Sequence, residues 1–438
     1  MKDAPMPMTI TEKILARAAG RDTVAPGDNV WVDTDILLTH DVCGPGTIGI
    51  FQREFGKTAR VWDPEKIVII PDHYIFTEDT KAHRNVSTLR EFVKAQKIPA
   101  FYDVDTPDYK GVCHVALPQE GHVRPGEVIF GTDSHTCTHG ALGAFATGIG
   151  NTDAALVMGT GKLLLKIPPT LRFRLDGKKP PYIMGKDIIL RIIGDIGTDG
   201  ATYRAMEFCG QVIAALSIQE RMTICNMAVE AGAKNGIIPP DRKTVEYVAA
   251  RSKKPFEEIQ GDPDAPVESE RIYDVGTFEP CVAEPHAPSN YALARERGDV
   301  RLDRAYIGSC TGGKLADFIA AAVVMRGHKV KIDTFLVPAT RRVADGLQAE
   351  RIGGKPLAQI FREAGCHDIA PPSCAACLGG PEDTFGRTHG SEIVISTTNR
   401  NFLGRMGSKD APIYLASPFT VAASALRGVI TDPREYLS

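Results

Sequence analysis

No stretch of this chain stays apolar for long. Without a run of eighteen apolar residues there is no candidate for a membrane-crossing helix. Basic residues are not gathered either. The 51 Lys and Arg are scattered among 54 Asp and Glu for a net charge of −3, so a nucleic-acid partner finds no electrostatic footprint and none is expected. Ten cysteines in 438 residues are too few for a disulfide scaffold. The opening "MKDAPMPMTITEKILARAAG" has no apolar core of a secretory signal, and the expected compartment is a reducing cytoplasm. No repeat of solenoid period and no low-complexity tract is found. "MGTGK", ending at Lys162, lacks the upstream Gly and the following Ser/Thr of a phosphate loop. No G-x-G-x-x-G follows a strand, so nucleotide binding is not expected.

What is present is alternation. "NVWVDTDILLTHD", "KIVIIPDHYIF", "IPAFYDVD" and "EVIFGTDSHT" read as β-branched strands ending in polar turns, with helical patterns such as "NVSTLREFVKAQ" and "LGAFATGIGNTDAALVMGTGK" among them. This predicts an α/β fold with mainly parallel, helix-covered sheets, in which ligands gather outside the carboxyl ends of strands. At this length two or three domains are expected. Pro168 and Pro169 interrupt the pattern, and a smaller block follows, with a helix "SIQERMTICNMAVEAG" opened by the capping pair Ser217 and Glu220. The expected units are 1–168, carrying the Asp-His loops; 169–285; and 286–438, carrying a cysteine cluster.

In a reducing compartment, cysteines at close spacing are ligands or catalysts more often than cross-links. In "PPSCAACLGG", Cys374 and Cys377 can turn two thiolates to one centre, and "YIGSCTGGK" offers Cys310 as a third. Three sulfurs suit an iron–sulfur cube with one iron free for chemistry, since such cubes normally take four. A zinc corner with His367 nearby, a redox pair, or a merely buried pair stays open. A rival of another class is a cysteine hydrolase. "GSCTG" has the form of a nucleophile elbow, with Cys310 attacking and His367 or His389 as base.

Further candidates fall at strand ends. Asp72-His73, His114, and Asp133 with His135 suit proton transfer, because a carboxylate orients an imidazole and raises its pKa. Glu207 is a carboxylate in an apolar strand. "TTNRNFLGRMGS" supplies Asn399, Arg400 and Arg405, whose planar forks grip carboxylates. Each has a plainer reading: structural hydrogen bonds for the histidines, ion pairs for Glu207 and the arginines.

In order along the chain, "GTDSHTCTHGALG", "ICNMAVEAGA", "YIGSCTGG", "SCAACLGG" and "NRNFLGRMGS" resemble the aconitase family, in particular its members split into a large and a small subunit. The resemblance implies three α/β/α domains packed around a central iron–sulfur site. It also implies a [4Fe-4S] cluster held by Cys310, Cys374 and Cys377, with one iron not ligated by protein. His73, paired with Asp72, would protonate the leaving hydroxyl. Asp133, His135, His114 and Glu207 would surround the open iron, with Asn399 near the cluster. Arg400 and Arg405 would bind carboxylate. Cys43, Cys113, Cys137, Cys209, Cys225, Cys281 and Cys366 match no ligand. The implied activity is that of a hydro-lyase moving a hydroxyl between adjacent carbons of a small 2-hydroxy di- or tricarboxylic acid.

Two departures matter. The sequence runs to Ser438 with no segment matching the family's swivelling domain, so a separate small subunit is expected to supply its catalytic Ser and substrate-binding Arg. In "HDVCGPG", Pro45 stands where many aconitases place a substrate-contacting Gln, which argues against citrate. Homoaconitase and the methyl- and dimethylmalate dehydratases share these motifs.

Overall fold

The structure, a computed structural model, describes residues 6–437; the first five residues of the opening stretch and Ser438 lie outside it. Five short parallel strands make the first sheet, in the order Ala100–Phe101, Ile67–Ile69, Ile36–Thr39, Val128–Gly131, Phe145–Gly148. Its three middle strands are apolar and buried throughout, as parallel strands covered on both faces must be.

Two sequence expectations change here. "NVWVDTDILLTHD" is two strands. Asn29–Asp33 alternates exposed and buried residues and pairs antiparallel with Lys162–Lys166, and the chain then turns into Ile36–Thr39. The long stretch read as helical is also divided, into strand Phe145–Gly148, helix Asn151–Thr160 and strand Lys162–Lys166. Glycines set the breaks: Gly150 caps the helix start, and Gly161 ends it at φ +72 against the Trp62 ring, where no larger residue fits.

The second sheet is parallel, in the order Asn235–Ile237, Ala205–Cys209, Thr170–Asp176, Ser269–Asp274. The Ser217–Glu220 pair caps helix Ile218–Asn226 reciprocally, as the sequence predicts. The third sheet runs Tyr291–Leu293, Cys281–Ala283, Ile413–Ala416, Val394–Ser396, Arg304–Ile307, Asp333–Leu336. Cys281–Ala283 pairs antiparallel with both its neighbours, and the remaining pairs are parallel. Cys281–Ala283 thus joins this sheet although it precedes residue 286.

Five parallel strands of the first and third sheets end at polar loops. Thr39 leads to Asp41, Ile69 to Asp72, Gly131 to Asp133, Ile307 to Cys310 and Ser396 to Asn399. One core cluster holds residues from all three sheets, among them Val68, Phe173 and Ile413, together with Cys310, Cys374 and Cys377. The cysteines therefore belong to a core shared by the three sheets. No helix among the described residues is long and apolar enough to cross a membrane.

Candidate active site

Cys310 opens the turn Ser309–Gly312 directly after strand Arg304–Ile307. Ser309, at φ +73, takes a left-handed conformation unusual for a residue with a side chain. Hydrogen bonds hold it there: its Oγ lies 2.7 Å from Thr311 Oγ1 and accepts the Thr311 N–H at 3.1 Å. Thr397 stitches this turn to the neighbouring strand end, accepting the Gly308 N–H at 2.9 Å and donating to the Gly308 carbonyl at 3.1 Å. The buried Cys310 Sγ then receives two amide N–H groups, from Asn226 at 3.1 Å and Asn399 at 3.4 Å. Burial pushes its thiol up to about 11, against the Asn226 hydrogen bond.

Cys374 and Cys377 come from a loop fixed at several points. The Cys374 N–H donates to the Asp72 carbonyl at 2.8 Å, and the Tyr109 hydroxyl donates to the Pro372 carbonyl. Gly379, at φ +63, lets the loop close on the Arg405–Gly407 backbone. Both cysteines are buried, with Cα atoms 5.6 Å apart and sulfurs in bonding contact; as metal ligands both would be thiolates.

Asp72 organises the next layer. Fully buried, its Oδ1 accepts from His73 Nδ1 at 2.7 Å and its Oδ2 from the Cys113 N–H at 2.7 Å. Burial opposes charge on His73, but Asp72 outweighs it and raises the imidazole to about 9, so the ring is an acid held protonated at neutral pH. Asp41 accepts the backbone N–H groups of Asp72, His73 and Tyr74 at 2.6–3.0 Å and so aims the pair. Burial and then His73 push His40, whose ring centre is 4.5 Å away, down. Donor atoms of His40, Asp41, Asp72 and His73 lie within 4.8 Å of one another, and these hydrogen bonds already engage both carboxylates.

A second chain runs from His114 to Arg400. Asp133 Oδ1 accepts from His114 Nε2 at 2.8 Å and from the His135 N–H at 2.7 Å. Despite burial, His114 and His135 hold its carboxyl well below the usual range. His135 Nε2 lies 2.8 Å from Glu230 Oε1, and Arg400 Nε reaches both Glu230 oxygens at 2.9 Å. His114, Asp133, His135 and Arg400 are thus brought together, with Glu230 joining His135 to Arg400.

Glu207 is not brought to this group. On strand Ala205–Cys209 it points to Arg172, whose Nε lies 2.8 Å from its Oε1, so it is a buried ion-pair residue of the second sheet. Sequence reasoning missed Glu230 and Asn226, although both stand in "ICNMAVEAGA". Arg405 is the opposite of Arg400: it is largely enclosed, its Nε has no partner, and no carboxylate pairs with it among the described residues. Burial, and then Arg400, push it down. An unpaired, half-buried guanidinium marks a place for an anion that the described residues do not themselves provide.

The hydrolase and zinc readings fail on geometry. An elbow nucleophile needs an imidazole within hydrogen-bond reach. His367 instead stacks on Phe335, with ring centres 4.5 Å apart, and faces Asp333; His389 sits 3.5 Å from Glu382. Both are exposed. Neither bonds Cys310, whose sulfur is engaged by amides. Three buried soft donors do fit an iron–sulfur group. The charges of Asp133 and Asp72 act on Cys310, so carboxylates stand near this sulfur.

Comparison with known proteins finds similarity along nearly the whole chain. The model of the aconitase family (aconitate hydratase) matches residues 12–428. The chloroplastic 3-isopropylmalate dehydratase large subunit of Arabidopsis thaliana is 61% identical, over 98% of this chain and 87% of that protein. The 3-isopropylmalate dehydratase large subunit 1 of Methanopyrus kandleri is 46% identical, over 99% of this chain and all of that protein. A solved structure, aconitase X of Thermococcus kodakaraensis in its holo-form, is 12% identical, with a TM-score of 0.48 over 84% of each chain.

Proposed function

The chain belongs to the aconitase family, and we propose that it is the large, cluster-bearing subunit of a 3-isopropylmalate dehydratase, a hydro-lyase of leucine biosynthesis that converts 2-isopropylmalate to 3-isopropylmalate. End-to-end similarity to relatives of that name supports the substrate. The observation that carries the chemistry is Arg405, an enclosed guanidinium without a carboxylate, beside the cysteine corner and the protonated Asp72–His73 pair. Homoaconitase and the methyl- and dimethylmalate dehydratases recede, because no observation here favours them.

Cys310, Cys374 and Cys377 would hold a [4Fe-4S] cluster, which when bound supplies a Lewis acid at an iron without a protein ligand. Arg405, with Arg400 behind it, binds and orients substrate carboxylate. His73 gives its Nε2 proton to the departing hydroxyl, which leaves as water, while Asp72 stabilises the imidazolium. A base takes the proton from the neighbouring carbon, leaving an alkene, and addition of water in the opposite sense gives the isomer. Asp133, His114, His135 and Glu230 hold the water between the two half-reactions. The base, a Ser, and a further carboxylate-binding Arg come from a separate small subunit carrying a swivelling domain. "Large subunit" in the relatives' names supports such a partner. Eight free cysteines suit a reducing compartment, and cytoplasm is our assignment.

The test is to express this chain with a small subunit, reconstitute it anaerobically and assay a panel of 2-hydroxy acids. Turnover of 2-isopropylmalate above the other malates supports the reading, and preference for another acid overturns the substrate.

A further inference from the structure

Two lysines are buried beneath the cysteine corner. Lys186, in the first turn of helix Gly185–Ile196, is 2% exposed, and Lys314, which caps helix Leu315–Met325, is 1% exposed. Lys314 Nζ lies 3.1 Å from Asp317 and donates to the carbonyls of Cys310, at 3.3 Å, and Thr311. Lys186 Nζ donates to the carbonyls of Thr397, at 3.3 Å, and Thr398. No carboxylate pairs with Lys186 among the described residues. The adjacent Asp187 turns away and accepts the Met184 N–H at 2.9 Å.

Two ammonium groups with one carboxylate leave positive charge in the core, against the two loops that carry Cys310 and Asn399. Burial costs several kcal/mol per ion, and carbonyl contacts alone do not neutralise it. Burial, then the charge of Lys314, push Lys186 down to about 7, with Glu230, Asp317 and Cys310 acting the other way. A fixed negative group nearby would hold the ammonium charged. Three thiolates around an oxidised four-iron cube leave it negative overall.

We propose that Lys186 and Lys314 are positioning residues, Lys314 holding the Cys310 turn and Lys186 the loop that leads to Asn399, and that together they supply the counter-charge retaining the cluster at the three-cysteine corner. The inference rests on the cluster reading above and extends it to residues outside the catalytic set. Lysines are rarely fully buried, yet these two are, one against each of the two neighbouring loops.

The test compares wild type, Lys186→Met and Lys186→Gln, each reconstituted anaerobically. Gln keeps N–H donors toward Thr397 and Thr398 but loses the charge. Three quantities are read: iron release to a chelator, the rise in Tm that the cluster confers over the iron-free protein, and the cluster's reduction potential. In both variants iron leaves roughly tenfold or more faster, the size of effect that outer-shell partners have on metal affinity. The cluster-dependent rise in Tm shrinks, and the potential moves more negative as a nearby positive charge is removed. If both variants lose Tm equally with and without iron, and release rate and potential match wild type, Lys186 serves folding alone and the proposal is overturned. Should Lys186→Met not accumulate, Lys186→Gln against wild type decides by the same readings. Wild type that takes up no iron overturns the cluster reading itself, whatever the lysines do.

Discussion

Asp72→Asn is the perturbation that most directly probes the acid. Burial alone drives an imidazole below its ordinary value of 6.5; Asp72, 2.7 Å from His73 Nδ1, lifts it to about 9. That rise corresponds to about 3 kcal/mol of preference for the protonated ring. With Asn in place the ring stays hydrogen-bonded, but the charge that outweighs burial is gone, and the pKa falls to 6.5 or below. At pH 7.5 the wild-type ring is almost wholly protonated, whereas the variant has at most roughly a tenth in the acid form, so kcat/KM falls at least about tenfold. The alkaline limb of the pH profile moves from about 9 to below 6.5. Stability carries the same sign. A pKa raised on folding contributes fully below 6.5 and is lost as pH climbs through about 9, so wild type weakens across that window and Asp72→Asn does not. The assay is kcat/KM against pH with 2-isopropylmalate, with cluster absorbance confirming equal loading. An alkaline limb unmoved in Asp72→Asn would refute the assignment of His73 as the acid.

Glu230→Gln should lower kcat by at least about 10²-fold, because His135 and Arg400 lose their shared anchor. Glu207→Gln should leave kcat near wild type and lower unfolding free energy by about 1–3 kcal/mol through the Arg172 contact; the opposite pattern in steady-state assays and denaturant melts would reverse the two assignments. Arg405→Met should raise KM at least about tenfold while Tm holds or rises, since an unpaired, half-buried charge is removed; unchanged KM would exclude it from the substrate site. Arg221→Ala is the structural contrast. Its fully buried guanidinium lies 2.9 Å from Asp241 Oδ1, whose side chain is 35% exposed, and its loss should cost about 1.5–3 kcal/mol in urea unfolding; a loss under about 0.5 kcal/mol would contradict this.

Much of this site was legible because strand ends announce themselves. Ile67–Ile69 running into Asp72-His73, and Val128–Gly131 into Asp133, need only local pattern, and the Ser217–Glu220 cap is a four-residue signal. What failed was direction. Glu207 looks like a site carboxylate because its strand is apolar, but side-chain facing is set by the sheet, which turns it to Arg172. Glu230 lies in a helical segment whose approach to His135, 95 residues away, no local pattern reveals. Nothing in the local sequence marks Lys186 and Lys314 as buried, since lysines are ordinarily exposed. The stretch from Leu142 to Lys162 was misread because small residues such as Ala144 and Ala146 fit helix and strand alike, and only the glycines divide them.

The central claim is that this chain presents a metal through three cysteines to 2-isopropylmalate. Its most direct test is conversion of 2-isopropylmalate by the anaerobically reconstituted chain mixed with a small subunit, beside Cys310→Ser, Cys374→Ser and Cys377→Ser. The account predicts about four irons per wild-type chain, steady formation of 3-isopropylmalate, and loss of turnover in each serine variant. A colourless, iron-free wild type, or undiminished turnover in Cys374→Ser and Cys377→Ser, would contradict it.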